Sequence, residues 1–277
     1  MKASPFLKWC GGKSRLLPEL LKRVPAEFNA YHEPFLGGGA LFFALASEGH
    51  LDDKRVCLAD ANAELIECYR AVRDHLGDVH THLEWILQMH RNDPRGTYER
   101  VKDKVGLTGA IGAARTIYLN KTCFNGLYRV NKKGLFNTPI GTLGLKTDPK
   151  VYCYEDLEKA AIRLRYACLD RCDYRHALNA VDPGDFCYLD PPYAPLSATS
   201  NFTAYTKDGF SAQDQAAVRD AALSAKNRGA TVLISNSSAD LIRDLYAGPE
   251  WKVEEVTVGR TGGTAKGRGS VKELLIS

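Results

Sequence analysis

The stretch from residue 30 to residue 76 constrains this chain more than any other. Residues 30–33 (AYHE) are too few to define a strand alone, but they run into Glu33-Pro34-Phe35-Leu36-Gly37-Gly38-Gly39. Residues 40–47 (ALFFALAS) then have the apolar density of a buried helix. A second short apolar run, 55–59 (RVCLA), ends at Asp60, and 62–76 restart a helical pattern. Strand, glycine turn, helix, strand and acidic end is how a doubly wound α/β sheet begins. Glycines let a backbone come close to a ligand, so the turn is a candidate cradle, with Asp60 placed to take a ribose hydroxyl. A structural turn beside a surface aspartate fits the same residues. The spacing is not GxGxxG and no GxxxxGK[ST] occurs, which counts against a nicotinamide cofactor and a phosphate-binding lysine loop.

The α/β rhythm returns later. Residues 155–166 read as a helix, 185–190 (DFCYLD) as a strand, 212–226 as a helix and 230–235 (ATVLIS) as a strand. Residues 253–258 alternate β-branched and polar side chains, and 271–276 complete the strands. The intervening 259–270, with five glycines and three basic residues, reads as a mobile loop, and 14–24 (SRLLPELLKRV) as a short amphipathic helix. At 277 residues, 44% hydrophobic and 25% charged, the chain has the makings of one large domain carrying an insertion, which excludes disorder and small disulfide scaffolds. No apolar run approaches the ~18 residues of a membrane span, and MKASPFLKWCGGKSR lacks the apolar stretch expected of a signal peptide. The eight cysteines form no CxxC pair, as expected of reduced thiols in a cytoplasmic protein.

Residues 76–150 differ in character. A helical stretch, 79–89, gives way to a segment rich in Gly, Asn, Lys and Arg. Asn125-Gly126 and Lys133-Gly134 suit tight turns and flank 127–131, which predicts a β-hairpin. Residues 91–150 hold 12 Lys/Arg against 4 Asp/Glu, a charge of +8, whereas the rest holds 25 against 29, or −4. A basic insert in an acidic frame is the footprint of a phosphate-binding module, although a solvated basic face has the same composition.

The sharpest chemical feature is Asp190-Pro191-Pro192-Tyr193, directly after the apolar run 186–189. Two prolines stiffen a turn and leave carbonyls without competing N–H groups. A carboxylate, a rigid carbonyl and an aromatic ring suit a planar heterocycle with an exocyclic amine. Asp190 and the Pro191 carbonyl would each accept one amine hydrogen, and Tyr193 would stack on the ring. A proline-rich strand cap is the plainer alternative. His80 and His82 make an HxH without a third ligand at helical spacing, and they read as a polar surface pair.

Five motifs occur in order: Phe6-Leu7-Lys8-Trp9-Cys10-Gly11-Gly12-Lys13, then Glu33 to Ala40, then Asp60-Ala61-Asn62-Ala63-Glu64-Leu65-Ile66. Asn125-Gly126-Leu127-Tyr128-Arg129 follows, and last comes Asp190-Pro191-Pro192-Tyr193-Ala194-Pro195-Leu196-Ser197-Ala198-Thr199. Across essentially its whole length the chain resembles the Dam-type DNA adenine-N6 methyltransferases, which modify adenine in GATC. The resemblance implies a Rossmann-like methyltransferase sheet with an inserted basic, mainly helical target-recognition domain carrying a β-hairpin. Residues 1–75 and 151–277 would be the catalytic domain and 76–150 the recognition domain. It implies S-adenosylmethionine as methyl donor, S-adenosylhomocysteine as product and no metal. Double-stranded DNA would be the partner, with base flipping to expose the target, no membrane and no obligate protein partner. The location would be the cytoplasm, in a bacterial nucleoid or a phage-infected host.

Carried over residue by residue, the resemblance puts Trp9, Lys13, Pro34, Phe35, Gly37, Gly39, Asp60, Asp173, Tyr174 and Asp190 around the cofactor. Asp190, Pro191, Pro192 and Tyr193 would be catalytic. Lys8, Phe124, Asn125, Leu127, Arg129, Asn131, Lys132, Lys133 and Pro139 would meet DNA, with Phe124 as a wedge in the base stack. One departure stands out. After Phe136-Asn137-Thr138-Pro139-Ile140-Gly141, where the family commonly has arginine, this chain has Thr142. Loss of a bidentate guanine contact, worth ~1–3 kcal/mol, predicts looser reading of the outermost base pair. An N4-cytosine or RNA-adenine methyltransferase would share the cofactor fold and a related tetrapeptide, but Asn125–Arg129 favours duplex DNA. A catalytically silent DNA-binding protein would need none of Lys13, Asp60, Asp190 and Tyr193.

Overall fold

A computed structural model describes residues 2–9, 11–131, 133–195, 210–259 and 270–277. Cys10, Lys132, residues 196–199 of the last motif and 260–269 of the glycine-rich stretch lie outside the described residues. The helices are α1 (Leu17–Leu21), α2 (Ala40–Glu48), α3 (Ala63–Asp74), α4 (Leu76–Asn92), α5 (Pro94–Asp103), α6 (Gly109–Thr122), α7 (Tyr154–Leu164), α8 (Tyr174–Asn179), α9 (Ala212–Asn227) and α10 (Asp240–Leu245). The strands are β1 (Ala30–Glu33), β2 (Arg55–Asp60), β3 (Ala167–Arg171), β4 (Phe186–Leu189), β5 (Thr231–Ser237), β6 (Val253–Gly259) and β7 (Ser270–Ile276). Two compact units emerge. The first holds Met1–Gly12, Gly37–Asp53 and Asp60–Arg171; the second holds Lys13–Leu36, Lys54–Ala59 and Cys172–Ser277.

Six strands of the second unit run in the order β2-β1-β4-β5-β7-β6. The first four are parallel, with Glu33 beside Leu58 and Leu189 beside Ile234. Every residue of β1 and β4 is buried, as strands covered on both faces must be. β7 enters antiparallel between β5 and β6, pairing Ser237 with Glu273 and Gly259 with Ser270. β6 closes the edge with a half-exposed pattern, and Glu254, Glu255 and Lys252 keep that edge charged. A core of Leu189, Val218, Ala222, Val232, Ile234, Ile242 and Leu274 packs against the sheet. α9 starts in a capping box in which Ser211 and Asp214 satisfy each other's backbone N–H. Because β1, β4 and β5 are parallel, Glu33, Asp190 and Ser235 all fall at their carboxyl ends, where such sheets bind ligands.

The first unit is helical apart from β3. α6 packs on both α3 and α4, and Ala113 to Asn120 are buried without a break, so it shows no amphipathic stripe. Its buried Arg115 donates to the Val101 and Lys102 carbonyls and pairs with Glu64 at 3.3 Å. Buried in this way, the guanidinium is satisfied on several sides, as a charge inside must be.

Two sequence readings are corrected. The helix expected over 14–24 is only α1, after a 3-10 turn at Lys13–Arg15, because Pro18 favours the first turn of a helix. The hairpin expected around 127–131 contains no strand. Two isolated antiparallel bridges, Val130 with Phe136 and Cys123 with Ile140, take its place, with Asn131 N–H donating to Leu135 and Asn137 N–H to Arg129. Between the two bridges Pro139 has no N–H to donate, so no continuous ladder forms, and its carbonyl accepts the Phe124 N–H.

Candidate active site

In the second unit the catalytic candidates converge at the end of β4. Asp190 follows Leu189, and its carboxylate takes a 2.9 Å ion pair from Lys13 and a 2.7 Å hydrogen bond from the Ser235 hydroxyl. Ser235 itself bonds the buried Tyr188 hydroxyl at 2.9 Å. Burial pushes the Asp190 carboxyl above its ordinary range, and the Lys13 ammonium and Ser235 hydroxyl pull it back only in part. Lys13 is only 6% exposed and sits 4.4 Å above the Tyr193 ring. Tyr193 donates its hydroxyl to Glu273 of β7 at 2.6 Å, and burial raises its pKa well above the usual phenol value. Gln215 donates to the Pro192 carbonyl at 2.7 Å and accepts from Asn236. The Pro191 carbonyl has no hydrogen-bond donor among the described residues.

Phe35 and Tyr174, both expected near the cofactor, come together as a stacked pair with ring centroids 5.1 Å apart. The buried Tyr174 hydroxyl has no partner among the described residues. Asp173 caps α8 through the Arg175 N–H and pairs with the Arg175 guanidinium. Pro34 is buried just beyond β1.

In the first unit, Gly37 and Gly39 both have positive φ, +48° and +65°. A Cβ on Gly37 would meet the Trp9 ring at 2.9 Å, so the indole rests directly on the turn. Gly39 forms the left-handed cap of α2. Asp60 accepts the Gly37 N–H at 3.0 Å and the Asn62 N–H at 2.9 Å, and these bonds offset part of the rise in its pKa that burial causes.

Lys8 is exposed, and its backbone is clamped on both sides by Asn120, at 2.8 and 2.7 Å. Phe124 is 50% exposed and precedes Asn125, which holds a positive φ of 56°. Leu127, Arg129, Lys133 and Pro139 are exposed, and Arg129 bonds the Asn137 side chain. Asn131 spends its side-chain oxygen on the Lys133 and Leu135 N–H groups, which shapes the turn.

A carboxylate, a proline carbonyl and an aromatic ring at a parallel strand end, in a chain with a glycine turn and Asp60, form a constellation open to comparison with known enzymes. The family model described as D12 class N6 adenine-specific DNA methyltransferase matches residues 9–259. The chain belongs to that family. The methyltransferase is 36% identical to Type II methyltransferase M1.LlaDCHI of Lactococcus lactis subsp. cremoris, with 99% of this chain and 94% of the relative covered. It is 35% identical to Type II methyltransferase M.MjaIII of Methanocaldococcus jannaschii, covering 90% and 89%. It is 34% identical to DNA adenine methylase of Vibrio cholerae, covering 99% and 95%. S-adenosylmethionine is the family's methyl donor, and DNA adenine its acceptor.

Sequence reasoning missed four side chains of this candidate site: Tyr188, Ser235, Gln215 and Glu273. The polar run Ser235-Asn236-Ser237 ending an apolar strand was the available signal, because polar residues buried at a parallel strand's carboxyl end need a purpose. Nothing in the sequence links Glu273 to Tyr193 across 80 residues. His80 bonds Tyr152, which also bonds Glu84, and no cluster of metal-ligating side chains occurs among the described residues. No described helix is long and apolar enough to cross a membrane.

Proposed function

We propose that the protein methylates N6 of adenine in double-stranded DNA at GATC, acting on a base flipped out of the duplex. The observation that carries this reading is the Lys13–Asp190–Ser235 arrangement, which fixes a carboxylate next to the Pro191 carbonyl, unengaged among the described residues, and the anchored Tyr193 ring. Asp190 and Pro191 each accept one hydrogen of the exocyclic amine, which frees the nitrogen lone pair for in-line attack. Tyr193 stacks on the base. Catalysis on these residues is positioning plus electrostatic preorganisation. An amine inside a duplex cannot reach such a site, so the base leaves the stack at a cost of a few kcal/mol. The exposed Phe124 is the wedge that holds the gap, and the lysines and arginines of 91–150 neutralise phosphates. Residues 76–150 are accordingly the recognition domain.

The residues also suit the cofactor. Bound S-adenosylmethionine supplies an electrophilic methyl group on a sulfonium. Asp60 takes the ribose hydroxyls, Trp9 and the Gly37 turn contact the methionine part, and the Phe35–Tyr174 pair with its unpaired hydroxyl receives the adenine.

Two results are expected. The methylation rate on GATC should exceed that on every single-base variant, least so at the outermost pair that Thr142 leaves loosely read. Arg129→Ala should relax preference at one pair by ~1–3 kcal/mol. Uniform losses on all substrates would make Arg129 a phosphate contact, and a preference for an unrelated sequence would defeat the GATC assignment. The second result concerns pH. Lys13 stabilises ionised Asp190, so Lys13→Met should raise the Asp190 pKa further and leave less carboxylate at neutral pH. The acid limb of the pH–rate profile should move to higher pH, with turnover partly recovered on the alkaline side. An unmoved limb would show that Lys13 does not tune Asp190.

A further inference from the structure

We propose that Tyr128 couples duplex recognition to cofactor binding, as a positioning residue that ties the Phe124–Arg129 segment to the Gly37 turn. Tyr128 is 8% exposed, although its neighbours Leu127 and Arg129 face solvent. Its ring stacks on Trp9 with centroids 5.0 Å apart and planes 27° from parallel. Trp9 is the side chain that lies on Gly37. The Tyr128 hydroxyl donates to Glu64 at 3.0 Å, and Glu64 stands in the first turn of α3, just after the Asp60–Asn62 bond. Arg115 holds the same carboxylate from α6. On the other side the segment is tied outward. Thr138 donates its hydroxyl to the Leu127 carbonyl at 2.6 Å, and Asn137 donates its N–H to the Arg129 carbonyl at 3.0 Å.

One side chain therefore touches both the indole over the glycine turn and the helix start behind Asp60, while its backbone belongs to the segment assigned to DNA. Close-packed interiors transmit displacement instead of absorbing it. If a duplex favours one placement of residues 127–129, that placement also sets Trp9 and Glu64. The coupling must then run equally in both directions, cofactor on duplex and duplex on cofactor. This inference rests on the reading above, that 124–129 meet DNA and that Trp9 and Asp60 meet the cofactor.

The test is calorimetric titration of S-adenosylhomocysteine with and without a short GATC duplex, for wild type, Tyr128→Phe and Tyr128→Leu. The duplex should tighten wild-type binding by about fivefold or more, the lower end of typical coupling. Tyr128→Phe keeps the stack and loses the Glu64 bond, so part of the ratio should survive. Tyr128→Leu should bring the ratio close to one while still binding S-adenosylhomocysteine and duplex separately. A Tyr128→Leu ratio equal to that of wild type overturns the proposal, as does a wild-type ratio of one when each ligand binds alone. A wild type that binds neither ligand overturns the functional reading itself, a different result. Should Tyr128→Leu fail to fold by thermal melting, Glu64→Gln carries the test beside Tyr128→Phe, and undiminished ratios in both overturn the coupling.

Discussion

Asp190→Ala is expected to lower turnover by at least about a hundredfold, the usual cost of deleting one preorganised group that acts in the transition state. Affinity for S-adenosylhomocysteine and for duplex should change only a few-fold, because the proposed role of the carboxylate is realised on the target amine. The substitution also removes the carboxylate paired with the buried Lys13, which destabilises the fold independently of catalysis. Asp190→Asn keeps an acceptor oxygen for Ser235 but likewise removes the charge opposite Lys13, so the melting curves distinguish lost stability from lost chemistry. Single-turnover methylation of a GATC duplex, with a melting curve for each variant, is the measurement. A folded variant that retains more than about a tenth of wild-type turnover, an effect below ~1.4 kcal/mol, removes Asp190 from the chemistry.

Asp60→Ala should instead act on the cofactor. Hydrogen bonds to an ionised group contribute about 1.5–3 kcal/mol, so S-adenosylhomocysteine binding should weaken by roughly ten- to a hundredfold. The preference among DNA sequences should stay as it is. Part of the loss arises inside the protein, because Asp60 also accepts the Gly37 and Asn62 N–H groups. Asp60→Asn, which can still accept from one of them, should fall between wild type and Asp60→Ala. Calorimetry with the purified product decides the matter, and an unchanged dissociation constant would take Asp60 out of the cofactor site.

The parts of this structure visible in the sequence are those whose signal is local. The residues 186–189 are apolar throughout because β4 is buried on both faces, and the run stops at Asp190 where the strand does. The glycine turn and Asp60 were legible for the same reason. α6 was not, because Gly109 and Gly112 imitate turn signals and its all-round burial erases helical periodicity. β3 was hidden by its polar residues, Asp170 and Arg171, and three of its five positions are exposed. The site was half legible. Its carboxylates announce themselves by position, whereas the pairing of Lys13 with Asp190 is long-range, and so are the bonds from Ser235 and Glu273.

The placement of β7 gives this enzyme a timetable. β7 slots between β5 and β6, so the last described strand to be synthesised is an inner one, and its Glu273 holds the Tyr193 ring made 80 residues earlier. A nascent chain still lacking residues 270–276 has no inner strand to join β5 to β6 and no Glu273 carboxylate for the Tyr193 hydroxyl. Domains form as units when their long-range pairings close, and here that closure coincides with formation of the Tyr193–Glu273 hydrogen bond.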